Sequence, residues 1–422
     1  LVQNNFVEAS TPREMRQRRR HYEAFGAHTG ISADCRDEIK RIRNNDPDLT
    51  VFALDAADAE KFSNSAWELL GGYIASTSGS EDVDLAGHLE DMDLAGCRLN
   101  DAKMSFLFDN LTNARLSLKK LKLSSNVFGS SGIRSLVPLL VISSGNLIEL
   151  RIGQNRLIDT ECFGFLVEAL NDGESSSIED LNLRGCNIND ITGLDRCEFP
   201  HLRYLDLDFN NIRRIPSLVK FTNLELLYLN NNKIGIDGCR SVAQLLQRNG
   251  RLRRLDLTST GMDDHAAEII ARSLKRNTSL ESLYLGGNNI EEWGCRAFLR
   301  LLNNASSFES TYNSNHTLTQ LMMGNELLRE EGQRAFDVVL PYSTNATVQD
   351  MKNHIDCATK INRNNEGNSH GAGRAKVIET QLNSNKRAEL CRLLCVEYSF
   401  RGDCNYHSTR CSRFGGGEVW SQ

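Results

Sequence analysis

Apolar residues recur along the chain in a fixed frame, L-x-x-L-x-L-x-x-N/C-x-L, with other apolar residues admitted at the L positions. It reads Leu89, Met92, Leu94, Cys97, Leu99, then Leu118, Leu121, Leu123, Asn126, Phe128, then Leu147, Leu150, Ile152, Asn155, Leu157. Ile178, Leu181, Leu183, Cys186, Ile188 follow, then Leu202, Leu205, Leu207, Asn210, Ile212 and Leu224, Leu227, Leu229, Asn232, Ile234. The last two clear copies are Leu252, Leu255, Leu257, Thr260, Met262 and Leu280, Leu283, Leu285, Asn288, Ile290. Alternation within L-x-L puts apolar side chains on one face of a short strand and the x residues on the other. Strands repeated this way predict a parallel stack, in which the Asn or Cys satisfies backbone groups that would otherwise stay unpaired. Behind most strands lies an apolar spacing of three and four that predicts a helix packed on the sheet. Gly238-Cys239-Arg240 leads in this way to Val242, Leu245 and Leu246, and Gly294-Cys295-Arg296 to Phe298, Leu301 and Leu302. No unit can bury its apolar face alone, so stability is cooperative along the stack.

The first positions of the eight copies are separated by 29, 29, 31, 24, 22, 28 and 28 residues. The frame resembles the leucine-rich repeat superfamily, mainly its long ribonuclease-inhibitor-like class. The two short units, Leu202-Arg203-Tyr204-Leu205-Asp206-Leu207 and Leu224-Glu225-Leu226-Leu227-Tyr228-Leu229, look like the 22-residue class of protein-phosphatase regulators. The resemblance implies an α/β fold: a leucine-rich repeat solenoid, or horseshoe, with a concave parallel β-sheet, convex helices and helical caps. A 22-residue unit is too short for a full convex helix, so flatter curvature is expected over 189–223.

Residues 1–48 are expected to form a basic arm or cap, 49–325 the solenoid, 326–400 a helical C-terminal cap and 401–422 a flexible tail. Leu49, Phe52 and Leu54 suggest an opening repeat. Val83-Asp84-Leu85 nearly duplicates Met92-Asp93-Leu94 nine residues later, which leaves the register over 80–99 open. Over 308–325 it is open too, between a unit starting at Phe308 and a strand at Leu318, Leu321, Met323.

Composition narrows the function. The 55 leucines among 422 residues, against 6 prolines, suit one leucine-built architecture. A net charge of −6 and pI near 5.9 argue against a generally basic nucleic-acid binder. The longest apolar run, Leu136 to Ile142, is far short of the roughly 20 residues a membrane helix needs. With no apolar segment near the N-terminus that reads as a secretion signal, the expected location is cytoplasmic. The basic run Arg13, Arg16, Arg18, Arg19, Arg20 leaves the nucleus as a second destination, although Glu14 and Glu23 dilute it. Most of the twelve cysteines stand singly and are expected to be reduced thiols in repeat cores. One cluster, Cys391, Cys395, Cys404, His407 and Cys411, contains enough ligands for zinc, but its spacing matches no zinc module, so no metal or cofactor is expected.

No phosphate loop, nucleophile elbow, zinc-protease helix or kinase signature is present, so no enzymatic activity is expected. The functional candidate is the concave face. One column of strand positions runs Asp93, Lys122, Arg151, Asn182, Asp206, Tyr228, Asp256, Tyr284 and, on one register, Tyr312; its neighbour runs Asp91, Lys120, Glu149, Asp180, Tyr204, Leu226, Arg254. These positions face solvent in the frame, and tyrosine and arginine are enriched in protein–protein hot spots. Lys122, Arg151, Tyr204, Asp206, Leu226, Tyr228, Arg254, Asp256 and Tyr284 are therefore the expected protein-contacting residues of a non-catalytic scaffold or adaptor. Two alternatives come from the resemblance: a GTPase-activating protein of the Ran type, whose acidic tail is absent here, and an enzyme inhibitor like ribonuclease inhibitor, a family richer in cysteine.

Overall fold

In a computed structural model of the chain, the described residues are 12–26, 29–76, 89–111, 116, 118–171, 176–302, 315 and 317–323. The expected cap at 326–400 and tail at 401–422, the cysteine cluster, Val83–Leu85, Phe308 and Tyr312 lie outside them. The chain divides into two compact units, Leu1–Asn232 and Lys233–Gln422.

The first unit opens with α1 (Pro12–Phe25) and α2 (Ala33–Arg43), followed by β1 (Val51–Ala53), α3 (Ala56–Ala59) and α4 (Asn64–Ser76). Phe52 is fully buried in β1, as the opening repeat requires. Aromatic residues join α1 to α4: Phe25 and Phe62 have ring centroids 5.3 Å apart, and His21 Nδ1 lies 3.1 Å from the Tyr73 hydroxyl. Burial, with Arg43 and Lys40 nearby, lowers the His21 pKa to about 4, so the ring is neutral near pH 7. Part of the N-terminal basic charge is matched locally, by Arg19 to Glu23 at 2.9 Å and Lys40 to Asp37 at 2.7 Å.

Strands then alternate with helices: β2 (Asp91–Asp93), α5 (Asp101–Phe108), β3 (Lys120–Lys122), α6 (Ser130–Ser143), β4 (Glu149–Arg151), α7 (Thr160–Asn171) and β5 (Asp180–Asn182). β6 (Tyr204–Asp206) and β7 (Leu226–Tyr228) complete the unit. β1 to β7 pair in sequence order, all parallel and without a register slip. The central leucines Leu121, Leu150, Leu181, Leu205 and Leu227 are fully buried, and helices α4 to α7 pack in succession behind them. The stretches between β5 and β6 and between β6 and β7 have no room for such a helix, whereas the Leu224 unit, expected to be short, runs 28 residues to Leu252 and contains a full helix at Gly235–Arg248. A five-residue 3-10 turn (Thr192–Arg196) stands between β5 and β6, and residues 207–225 contain none. Buried Ile212, Ile215, Leu218 and Phe221 fill the layer instead, with Phe221 stacked on Phe199 at 6.3 Å.

The second unit contains α8 (Gly235–Arg248), β8 (Arg254–Asp256), α9 (Asp264–Ser273), β9 (Ser282–Tyr284), α10 (Glu292–Leu302) and β10 (Gln320–Met322). β8 pairs with β9 and β9 with β10, again parallel, so Leu318, Leu321 and Met323 supply the strand that follows β9. The glycine before Cys295 has a steric reason. Gly294 N–H donates 3.0 Å to Asp264 Oδ1 in the preceding repeat, and a Cβ there would stand 2.6 Å from Ile290 Cγ2.

The ladder expected of the asparagines is present. Nδ2 of Asn126, Asn155, Asn210, Asn232 and Asn288 donates at 2.8–3.0 Å to a carbonyl of its own repeat and to one in the repeat before. Cysteine fills the position with longer contacts, Cys97 Sγ to Leu54 O at 3.3 Å and Cys186 Sγ to Ile152 O at 3.8 Å. Thr260 uses its hydroxyl on Leu257 O at 2.8 Å. One frame position is corrected. Leu157 is 61% exposed and Ile158 is buried, because a turn closed by Ile158 N–H on Asn155 O delays the inward residue by one place.

Candidate protein-binding face

The two columns of outward strand residues form by register. In the first unit Asp91, Lys120, Glu149, Asp180, Tyr204 and Leu226 are cross-strand partners, as are Asp93, Lys122, Arg151, Asn182, Asp206 and Tyr228. In the second unit Arg254 aligns with Ser282 and Gln320, and Asp256 with Tyr284 and Met322. The residue beyond Tyr284 in its column is therefore Met322.

At the β2–β3 step the charges satisfy one another. Lys119 meets Glu90 at 2.7 Å, Lys120 meets Asp91 at 3.2 Å and Lys122 meets Asp93 at 3.4 Å. Each pair is partly exposed and contributes little to stability. Arg151 is engaged more fully. Its Nη2 donates 2.7 Å to Asp180 Oδ2, and its Nε lies 2.7 Å from Glu149 Oε1 as an ion pair without hydrogen-bond alignment. Burial pulls the Arg151 guanidinium pKa down, but the bond it donates to Asp180 and the charges of Asp180 and Glu149 outweigh it and hold the group above its ordinary value. Burial pushes the Asp180 carboxyl up, against the pull of Arg151.

Asp206 departs from the expected solvent-facing column: only 4% of it is exposed. Tyr204 Oη donates to its Oδ2 at 3.2 Å and Asn182 Nδ2 at 3.1 Å, while Oδ1 accepts from Asp208 N–H at 3.0 Å. Burial raises its pKa despite these bonds, and burial beside Asp206 raises the Tyr204 phenol. Asp206 thus supports the face from beneath, held by the side chains of Tyr204 and Asn182. The Tyr204 and Tyr228 rings lie 5.5 Å apart and tilted by 46°, and both residues, with Leu226, are half-buried. In the second unit the Arg254 guanidinium lies 5.9 Å from the Tyr284 ring centroid, and Tyr284 Oη donates 3.2 Å to Gln320 Oε1. Asp256 caps the turn after β8 by accepting from Thr258 N–H at 2.8 Å.

The column reading missed the turn edge beyond β5 and β6, where Arg184, Asp208 and Phe209 meet. Arg184 Nη1 donates 2.6 Å to the buried Asp208 carboxylate, and its guanidinium lies 4.4 Å from the ring centroid of exposed Phe209. The available signal was a phenylalanine just before a ladder asparagine, where other units have small or polar residues.

Among the described residues, no cluster of three or more His, Cys, Asp or Glu can hold a metal, and no helix is long and apolar enough to cross a membrane. The seven described cysteines are buried and form no disulfide with one another. Burial pushes the thiols of Cys35, Cys97, Cys186 and Cys239 up to about 12, far from reactive thiolates.

Comparison with known proteins agrees with this architecture. A family model described as "Leucine Rich repeats (2 copies)" matches residues 200–241, and one described as "Leucine Rich repeat" matches 116–137 and 276–299. Ribonuclease inhibitor from Sus scrofa is 28% identical over 195 residues, 44% of this chain and 37% of that protein. The chain thus spans little more than a third of the length of that relative. Among solved structures, an internalin (InlF) from Listeria monocytogenes aligns at 18% identity with a TM-score of 0.40, over 60% of this chain and 64% of its own. Actin-binding site 2 of leiomodin-1 aligns at 18% identity and a TM-score of 0.29, over 36% of this chain and 80% of its own. The repeat frame, the unbroken parallel register within each unit, the asparagine ladder and the family matches make this chain a member of the leucine-rich repeat superfamily, with long units of the ribonuclease-inhibitor-like kind.

Proposed function

We propose that the chain is a non-catalytic scaffold or adaptor that binds a protein partner through the outward faces of its strands. Leucine-rich repeat proteins generally mediate protein binding, and one observation carries the assignment to this face. Tyr204 and Tyr228 pair on the solvent side of β6 and β7, where the fold does not need them for its core. Large aromatic side chains kept half-exposed beside charged neighbours are the composition of interface hot spots. Tyr284 with Arg254 repeats the combination in the second unit. A reducing intracellular setting fits the absence of disulfides among the described cysteines.

The test is affinity capture from native extract, wild type beside a Tyr228→Ala/Tyr284→Ala variant with unchanged melting temperature. Arg151 is left intact because it pairs with two carboxylates. A partner captured only by wild type supports the reading; identical capture by both proteins, or none by either, overturns it. The similarity to ribonuclease inhibitor favours a second reading, an inhibitor of a ribonuclease. Titration of a ribonuclease inhibited by the Sus scrofa protein with the purified chain tests it, and undiminished activity at stoichiometric excess rejects it.

A further inference from the structure

After each strand from β2 to β9, the residue just before the ladder position has a left-handed backbone. These residues are Gly96, Ser125, Gln154, Gly185, Phe209, Asn231, Ser259 and Gly287, with φ between 52° and 72°. Glycine and asparagine suit this conformation, and small or flexible polar residues tolerate it. Phe209, at φ 55°, is the one bulky residue among the eight, and a bulky side chain there is a strained choice. Core packing does not explain it, since 45% of Phe209 is exposed.

The neighbours of the ring are fixed. The Arg184 guanidinium lies 4.4 Å from its centroid, and Arg184 Nη1 donates to Asp208 Oδ2 at 2.6 Å. Asp208 is buried and its Oδ1 accepts from Asn230 N–H at 2.6 Å, so the carboxylate anchors the arginine rigidly. The positive charge is balanced within this cluster, and Asp206 and Asp180 add further acid on the same strands. A planar guanidinium has five N–H donors, and the bond to Asp208 uses one nitrogen.

We propose that Phe209 and Arg184 form an additional contact point for a protein partner, at the turn edge next to the strand face. This deepens the protein-binding reading and rests on it. The partner contributes an uncharged segment: an aliphatic or aromatic side chain packs on the open side of the Phe209 ring, and an amide oxygen accepts from the guanidinium edge. A carboxylate is disfavoured there, because Asp208 already balances Arg184 and the adjoining strands carry an excess of acid. The strained phenylalanine is retained for the contact, since an asparagine in its place would suit the turn better.

The experiment pans random-sequence peptides displayed on phage against the full chain and measures recovered peptides on wild type, Phe209→Asn and Tyr228→Ala/Tyr284→Ala. Recovered peptides are expected to share an apolar anchor without an excess of Asp or Glu. They should bind Phe209→Asn about tenfold more weakly and be little affected by salt, while Phe209→Asn melts at or above the wild-type temperature. A lower melting temperature for Phe209→Asn would make the ring a structural element and overturn the proposal, as would failure to recover any peptide. Acidic, salt-sensitive peptides overturn the uncharged partner. Peptides that keep their affinity for Phe209→Asn but lose it with the tyrosine variant leave the strand-face reading standing and remove this contact; peptides indifferent to both variants remove both.

Discussion

The hydroxyl of Tyr204 donates a 3.2 Å hydrogen bond to Oδ2 of Asp206, two places along the same strand, and Asp206 is buried beneath that contact. Burial raises the Asp206 pKa above the ordinary value of about 3.9. Below that ordinary value the group is protonated in the folded and unfolded chain alike, and its contribution to stability is fully present. As pH rises through the raised folded value, the unfolded chain holds fewer protons and that contribution is lost. An Asp206→Asn variant forfeits hydrogen bonds at every pH but is spared this loss. Its melting-temperature deficit relative to wild type should therefore be largest near about pH 4 and shrink toward neutrality. Thermal melts across that range check the sign; a deficit that widens with pH would mean that the bonds from Asp208 N–H, Tyr204 and Asn182 outweigh burial.

Arg151 joins Glu149 on its own strand and Asp180 on the next. Removing it strands Asp180, whose Oδ1 has no hydrogen-bond partner even in the native arrangement. Arg151→Ala is expected to cost about 1 kcal/mol, a figure already reduced for solvent screening of the half-exposed guanidinium. Adding Asp180→Asn should recover part of it. Denaturant titration of the two single variants and the double variant gives the coupling, and strict additivity would sink the assignment.

Asn210 donates to Leu183 O and Leu207 O and accepts from Ile188 N–H, so one side chain serves two repeats. Asn210→Ala leaves these buried backbone groups unpaired, at an expected cost of about 3 kcal/mol or more. Amide hydrogen exchange should speed up on both sides of the site, at residues 183–188 and 207–212 together. Faster exchange confined to one repeat would mean that the ladder does not couple them.

Tyr228 and Leu229 are adjacent but face opposite ways, one half-exposed and the other fully buried. Leu229→Asp buries an unpaired charge and should unfold neighbouring repeats, seen as loss of the cooperative transition by circular dichroism. Tyr228→Ala should shift the midpoint only slightly. Similar melting of the two variants would show the faces of β7 to be misassigned.

The repeat fold was legible because its cause is local and periodic. A leucine at every second strand position produces the same strand in each unit, and an asparagine at a fixed offset the same ladder amide in five of the eight. The Leu202 unit could likewise be read as lacking room for a helix, since 22 residues to the next first position leave too few, but the Leu224 unit, grouped with it, has 28 and holds α8. Where the period broke, the frame misled. Leu157 fits the pattern by spacing, yet a tighter turn after Asn155 gives the buried place to Ile158. The outward columns were legible as positions but not as environments, because exposure at a strand position depends on how far the flanking side chains reach.

By itself the sequence determined the α/β repeat architecture and the strand centres of its eight clear copies, since alternation and spacing act within a few residues, while the strand after β9 was decided by its pairing. Tertiary structure decided which outward residues remain available. It buried Asp206 under Tyr204 and Asn182, used Arg151 to hold Glu149 and Asp180, and matched the lysines of β3 to the acids of β2. It also brought Arg184 from one turn onto Phe209 of the next, 25 residues away in the chain. Those contacts run across strands, and their partners come from neighbouring repeats whose side-chain reach and charge no single frame position encodes.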